Sequence, residues 1–183
     1  MIFSHVTFGT WCLIVGVALA ILAALPLFAP AKASAAMRRF PRSVIAGVVI
    51  STLAFAWAAA IVLVAPLDFI APWKLWIAGA LMVSAPLSWF WMSPLLACRA
   101  LGGILVLLPA PVLLSARMVD SPCRLVMVVL MYVFAVLGMD FIMAPYHLRD
   151  ALSWIAAKPS RVRVAGALLL AAAMASLAIP FLV

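Results

Sequence analysis

Residues 44–65 read VIAGVVISTLAFAWAAAIVLVA, a run of 22 residues that contains no charged side chain. A helix rises about 1.5 Å per residue, so about 20 apolar residues cross the roughly 30 Å of hydrocarbon in a bilayer. The run is continuously apolar, whereas a lipid-facing barrel strand alternates apolar and polar residues over about ten positions. It therefore predicts a membrane-spanning helix, which satisfies its own backbone hydrogen bonds in lipid.

The rest of the chain repeats this pattern. Its 183 residues are 70% hydrophobic and 9% charged, against about 45–50% apolar and about 25% charged in ordinary globular domains. We therefore predict one all-α integral membrane domain over residues 1–183. The six predicted transmembrane helices are Thr7–Ala29, Val44–Ala65, Trp73–Trp91, Leu95–Ala116, Leu125–Ala144 and Val162–Leu182.

The fourth of these helices has an alternative interpretation. It contains Arg99, the pair Gly102-Gly103 and the break Pro109-Ala110-Pro111. Proline removes a backbone hydrogen bond and disrupts a helix interior. A re-entrant or broken helix at this place would leave five crossings.

Basic residues are distributed unequally between the two sets of loops. Nine of the twelve Lys and Arg residues follow the first, third and fifth predicted spans: Lys32, Arg38, Arg39, Arg42, Arg99, Arg149, Lys158, Arg161 and Arg163. The other three are Lys74, Arg117 and Arg124. Cytoplasmic loops carry the positive excess, so we expect a multi-pass protein of the cell inner membrane with both termini outside, in the periplasm. This bias accounts for the net charge of +8, which therefore gives no support for binding of nucleic acid.

Proline marks a possible internal repeat. Predicted helices end at Ala29-Pro30, Ser93-Pro94 and Ala144-Pro145, and each ending is followed by a basic segment and a glycine in the next span. We infer three helical-hairpin units, 7–65, 73–116 and 125–182. The alternative is that proline simply suits the ends of membrane helices.

The segments between the paired helices are amphipathic. In Tyr146–Lys158, apolar residues recur at helical spacing opposite charged ones, and Ala31–Phe40 is a shorter version. We predict helices lying at the membrane interface. Their candidate contacts with anionic lipid headgroups on the cytoplasmic side are Lys32, Arg38, Arg39, Arg42, Lys158, Arg161 and Arg163; the alternative is that they only anchor the topology.

Few residues are candidates for chemistry. Asp140 is the one carboxylate inside an apolar span, where an ionised group needs a partner or water, and His147 and Arg149 follow it closely. Pro86, Pro109 and Pro111 interrupt the third and fourth spans, and interrupted helices can line a binding site. An ion relay, a structural ion pair and simple kinked packing are all compatible with these positions.

The sequence contains no motif for thiol redox, nucleotide-binding or serine-nucleophile chemistry. The three cysteines show no C-x-x-C spacing, and no nucleotide loop or serine nucleophile motif is present. With four acidic residues in total, a carboxylate-held metal is disfavoured. We therefore assign no catalytic residue, no metal site and no evident cofactor, and we expect no enzymatic activity.

Three classes of function remain. We predict a non-catalytic subunit or scaffold of a larger membrane complex, with a membrane-protein partner or further copies of this chain. The small residues Ala167, Ala171 and Ala175 recur every four positions and would suit such a helix contact. The first alternative is a small hairpin-repeat transporter or channel, and the second is a lipid-acting enzyme at the cytoplasmic interface. Transport requires one wet cavity to collect Ser51, Thr52, Ser84, Ser88 and Asp140, whereas the enzyme requires His147 and Asp140 to share a pocket.

Overall fold

A computed structural model describes residues 7–64, 68–91 and 95–182, and every regular element in these ranges is helical. The helices are α1 (Phe8–Phe28), α2 (Pro30–Arg39), α3 (Val44–Val64), α4 (Lys74–Trp91), α5 (Leu96–Leu107), α6 (Pro109–Ala116), α7 (Arg124–Met143), α8 (Pro145–Ile155) and α9 (Pro159–Leu182). Short 3-10 segments, Phe40–Arg42 and Asp68–Trp73, precede α3 and α4.

Five helical stretches are long and apolar enough to cross a membrane: Phe8–Phe28, Val44–Val64, Leu96–Ala116, Arg124–Met143 and Pro159–Phe181. The predicted class, an all-helical chain with membrane-spanning segments, is thus confirmed at this level. The predicted third span, α4, is not among the five. It has 18 residues, begins with Lys74 and contains Pro86, and both residues reduce its apolar character.

The predicted fourth span, by contrast, does belong to the five. Its two halves, α5 and α6, are interrupted only at Leu108, whose φ of −60° and ψ of −40° are still helical. Pro109 begins α6, where its missing N–H is tolerated because the first helical residues lack intrahelical acceptors. The proline pair therefore interrupts the hydrogen bonds of this span without turning the chain away from it.

Small residues allow the helices to approach closely. α1 packs along α9, α3 packs against both α4 and α5, and α5 packs against α7. A methyl group on Gly16 of α1 would lie 2.6 Å from Leu177 Cγ of α9. Buried side chains of α1, α6, α7 and α9 form the main apolar core, in which Met127 and Met131 are fully enclosed.

The helix ends fall into two groups. Gly47 near the start of α3 adjoins Ala97 in α5, and Gly166 near the start of α9 adjoins Leu27 in α1. The starts of α3, α5 and α9 and the end of α1 therefore meet at one end of the bundle. The nine basic residues listed above lie on the segments at this end, which we call the basic end. At the opposite end, Gly9 of α1 adjoins Pro180 of α9.

The chain bends in the same way at two of the predicted repeat positions. Ala29 has a φ of −139° and a ψ of 66°, and Ala144 has −128° and 68°. Each ends a long helix, donates its N–H to the carbonyl four residues earlier, and is followed by a proline that begins a surface helix. The third position, Ser93-Pro94, lies outside the described residues, as does Ala65 at the end of the predicted second span.

Candidate functional site

Helices α2 and α8 form a surface layer at the basic end. They pack against each other and against the start of α9. Arg38 of α2 donates a hydrogen bond of 2.9 Å to the carbonyl oxygen of Ala156, the residue that directly follows α8. Both predicted amphipathic segments are thus helical, although on α8 Leu148 is buried while Ala151 is exposed.

Arg161 stabilises the end of α8 as well. Its Nη1 donates to the Trp154 carbonyl oxygen at 3.1 Å, and its guanidinium carbon lies 3.9 Å from the centre of the Trp154 ring. Cations near the carboxyl end of a helix satisfy its last carbonyl groups and its dipole. Two of the seven predicted headgroup contacts, Arg38 and Arg161, therefore bind the backbone of α8. The other five, Lys32, Arg39, Arg42, Lys158 and Arg163, are exposed.

A pocket of about 400 Å³ lies between the α2 segment and α8. Its polar lining comes from Arg38 and Arg42 on one side and from Arg149, Asp150 and Ser153 on the other. The Arg149 Nε donates to Asp150 Oδ1 at 2.8 Å, and this hydrogen bond, with the charge of the carboxylate, raises the pKa of Arg149 above its usual value. The pocket thus holds three cations and one carboxylate at the surface.

Asp140 and His147 contact each other, but not in a pocket. The His147 Nδ1 lies 2.8 Å from Asp140 Oδ1 and 3.1 Å from Oδ2, and the two side chains are 52% and 40% exposed. The pair joins the last turn of α7 to the first turn of α8 across the bend at Ala144. Neither residue lines either of the two cavities described in this subsection.

The proline positions also do not form a shared site. Pro109 and Pro111 are buried beside the apolar core, and Pro86 lies half-buried within α4. None of the three lines a cavity described here. They shape the helices, a role that proline positions in a sequence do not distinguish from that of a binding site.

A second cavity, of about 360 Å³, lies between α3, α4 and α5. Its lining is almost entirely apolar and includes Phe55, Leu81 and Val106. Arg99, in the first turn of α5, is among the lining residues, and its Nε is buried with no hydrogen-bond partner among the described residues. We call this site the Arg99 cavity.

The polar residues expected to mark a transport path only partly converge. Ser51 and Ser88 line the Arg99 cavity, whereas Thr52, Ser84 and Asp140 do not. Arg99 was noted within the predicted fourth span but was not predicted as a site residue, because its charge fits the pattern of basic loops equally well. The signal was its position inside the apolar run Leu95–Ala116, since a charge within a membrane span indicates a functional site.

No protein-family model matches this chain, and no curated protein or solved structure matches it significantly. A function must therefore be argued from these residues. Among residues 7–64, 68–91 and 95–182, no three His, Cys, Asp or Glu side chains lie close enough to hold a metal ion.

Proposed function

We propose that this chain is a multi-pass protein of a bacterial inner membrane that acts as a non-catalytic subunit or scaffold of a larger membrane complex. The observation that supports it best is the use of hydroxyl groups within the apolar helices. Six of them donate to carbonyl oxygens three or four residues earlier in their own helix: Ser51, Thr52, Ser84, Ser88, Ser115 and Ser176. A hydroxyl group bonded in this way uses its one donor within the helix and keeps only acceptor capacity for water or a polar substrate, which makes a polar transport path less favourable.

An exposed face of α9 supports a contact with another protein. Ala167, Ala171 and Ala175 recur every four residues, and all three are exposed. Helices in membranes associate through small residues, because these let the backbones approach closely. The same helix uses a different face, with Gly166 and Ala173, against α1 and the core. The alanine face is therefore available to a partner chain or to a second copy.

We further propose six crossings, with α4 as the sixth. α3 and α5 both begin at the basic end, so the chain must return there between them, and α4 is the described helix that does so. Trp89 near its end donates to Ser51 near the start of α3 at 3.1 Å. Gly9 and Pro180 adjoin each other at the opposite end, and an even number of passes is consistent with this. The positive excess would place the basic end in the cytoplasm and both terminal helix ends outside.

A partial repeat is consistent with the two matching bends. Each joins a long helix to a surface helix and then to a returning helix, α1-α2-α3 and α7-α8-α9. The long helices of the two units pack mainly outside their own unit, however: α1 contacts α9 extensively, and α5 packs against both α3 and α7. We propose that the repeat concerns these local hairpin units and not the arrangement of the whole bundle.

Transport remains the first alternative, and the Arg99 cavity is the observation that favours it. An enzyme acting on lipids remains the second, and it is favoured by the contact between His147 and Asp140 near the basic surface pocket. The positions of the candidate residues weaken both alternatives. Thr52, Ser84 and Asp140 line neither cavity, and the side chains of Asp140 and His147 are partly exposed. A subunit requires neither a wet path nor a catalytic base.

Purification from the native membrane in mild detergent, followed by mass spectrometry of co-purifying chains, tests the proposal. We expect a stoichiometric partner, lost when Ala171→Leu and Ala175→Leu are combined because the added side chains separate the helices. Ala18→Leu, at an exposed position of α1, is the matched control and should retain the partner. Recovery of the wild-type chain alone would contradict the proposal and favour transport.

A further inference from the structure

Three arginine side chains meet in the basic surface pocket between the α2 segment and α8. Arg38 and Arg42 line it on one side and Arg149 on the other, and Asp150 is the one carboxylate among the described residues that line it. Three guanidinium groups and one carboxylate give this lining a net charge of +2. All three arginines are exposed, and the pocket has nearly as much polar as apolar surface. Its charged groups are therefore accessible to a ligand.

Two of the three arginines are held in place by the protein. The Arg38 Nη2 donates to the Ala156 carbonyl oxygen at 2.9 Å, and the Arg149 Nε donates to Asp150 Oδ1 at 2.8 Å. Each bond uses one N–H of a guanidinium group that carries several, so both side chains keep donors for a ligand. Donors that are oriented beforehand lose less conformational freedom on binding. The pocket is thus a partly preorganised set of donors at the joint between two helices.

Asp150 reduces the positive charge of the pocket without removing it. Its carboxylate is paired with Arg149, whereas neither Arg38 nor Arg42 forms an ion pair with a described residue. Like charges repel each other, and the repulsion is less screened beside a protein surface than in bulk water. An anion bound between the two sides would therefore lower the electrostatic free energy of the lining.

Charge and size indicate which anion fits. The planar donors of a guanidinium group match phosphate as well as carboxylate. A phosphomonoester carries a charge of about −1.5 to −2 at pH 7, close to the opposite of the lining, whereas a carboxylate or a phosphodiester carries a single negative charge. The volume of about 400 Å³ falls within the range of about 300–1,000 Å³ for small-molecule sites. Met37 and Pro41 add an apolar side to the pocket, which suits a phosphate carried by a larger molecule.

We propose that the basic surface pocket binds one phosphomonoester group. Its oxygen atoms accept hydrogen bonds from Arg38, Arg42 and Arg149, and the rest of the molecule lies against Met37 and Pro41. The headgroup of phosphatidic acid and a soluble ester such as glycerol 3-phosphate share this chemistry. Because α2 and α8 lie outside the five apolar stretches, the pocket suits either source. The site does not depend on whether the chain is a complex subunit or a transporter.

Native mass spectrometry of the full-length chain in detergent tests the proposal. The probes are dioleoyl phosphatidic acid, dioleoyl phosphatidylglycerol, which is a phosphodiester, and dioleoyl phosphatidylcholine, which has no net charge. We expect one phosphatidic acid to be retained per chain at collision energies that remove the other two lipids. Retention of phosphatidylglycerol equal to that of phosphatidic acid would overturn the proposal.

Excess glycerol 3-phosphate distinguishes the two sources of the ligand. Phosphatidic acid that stays bound in its presence identifies a site for a lipid headgroup. Binding of glycerol 3-phosphate in place of the lipid identifies a site for a soluble ester. Binding of neither phosphomonoester would overturn the proposal.

Two variants locate the binding. Arg42→Gln and Arg149→Gln should each weaken retention of the phosphomonoester by about tenfold or more, since a hydrogen bond between charged groups is lost. Arg39→Gln is the matched control, because Arg39 is an exposed neighbour on α2 that does not line the pocket, and it should leave retention unchanged. Equal losses for Arg42→Gln and Arg39→Gln would mean a diffuse charge effect and would overturn the site. If Arg149→Gln does not fold, the exposed Arg42 and the comparison of probes on the wild-type chain decide.

Discussion

Gly102 and Gly138 determine how closely α5 and α7 approach. A methyl group on Gly102 would lie 2.7 Å from the Gly138 carbonyl oxygen, and one on Gly138 would lie 2.8 Å from the Gly102 carbonyl oxygen. Both obstacles are backbone atoms, which cannot rotate away as a side chain can. The two helices therefore meet backbone to backbone at this crossing, as close-packed membrane helices do where small residues face each other.

Gly102→Ala should accordingly destabilise the protein by about 1–3 kcal/mol, because the overpacked crossing must open. The neighbouring Gly103→Ala is the control, since its methyl group would meet only Ala54 Cβ at 3.6 Å and alanine favours helix. Thermal unfolding in detergent, followed by size-exclusion chromatography of the heated samples, measures the difference. Equal midpoints for the two variants would contradict a backbone contact at Gly102.

The sequence did not allow the two adjacent glycines to be distinguished. Gly102-Gly103 predicted a weak point in a helix, but which glycine faces a neighbour depends on the rotation of α5 and on the identity of that neighbour. The same limit applies to Arg99. Its position in an apolar run was visible, whereas the cavity around it is formed by helices that are distant along the chain.

At the scale of elements, α8 is held at its carboxyl end by side chains from the surface helix α2 and from the start of α9. Arg38 of α2 reaches the Ala156 carbonyl oxygen and Arg161 of α9 reaches that of Trp154. The last carbonyl groups of a helix lack partners within it. The two arginines therefore link three helices of the basic end through one helix terminus.

Arg38→Met should loosen this terminus and leave the rest of the bundle intact. We expect amide exchange at Ala156 and Ala157 to accelerate about fivefold, because such a hydrogen bond at a half-exposed site contributes about 1 kcal/mol. Arg39→Met is the matched control, since Arg39 is an exposed neighbour. Hydrogen–deuterium exchange of the detergent-solubilised protein measures both, and equal exchange in the two variants would contradict the link.

Elements were predictable where a single physical requirement determines them. Long apolar runs gave five helices because crossing a bilayer needs about 20 residues. The predicted span Trp73–Trp91 coincides with α4 within one residue, but α4 is not among the five helices long and apolar enough to cross, and it contains Lys74 and Pro86. The endings at Pro30 and Pro145 were predicted from proline chemistry. The matching bends at Ala29 and Ala144 were not, because backbone angles at a junction depend on how the following helix packs.

At the scale of the whole molecule, the proposed six crossings can be tested by labelling single cysteines. In a variant with Cys12, Cys98 and Cys123 replaced, Trp73→Cys and Met118→Cys should react with a membrane-impermeant maleimide in spheroplasts. Trp91→Cys and Ser153→Cys should react only in inverted vesicles. All four wild-type residues are exposed.

The pair at positions 73 and 91 decides whether α4 crosses, because these residues lie at its two ends. Labelling of both from the same side would contradict a sixth crossing. Labelling of position 118 only in inverted vesicles, together with position 153 from outside, would reverse the proposed orientation. The four positions thus separate the number of crossings from their direction.

The contact between α1 and α9 has a consequence for synthesis. About 130 residues separate the end of α1 from the start of α9, and a ribosome adds about 5–20 residues per second. α1 is therefore synthesised roughly 6–26 s before α9, its main partner, and its Gly16 side has no Leu177 to pack against in that time. During this interval lipid or another component has to cover the α9-facing side of α1, so this contact can form only after α9 has been synthesised.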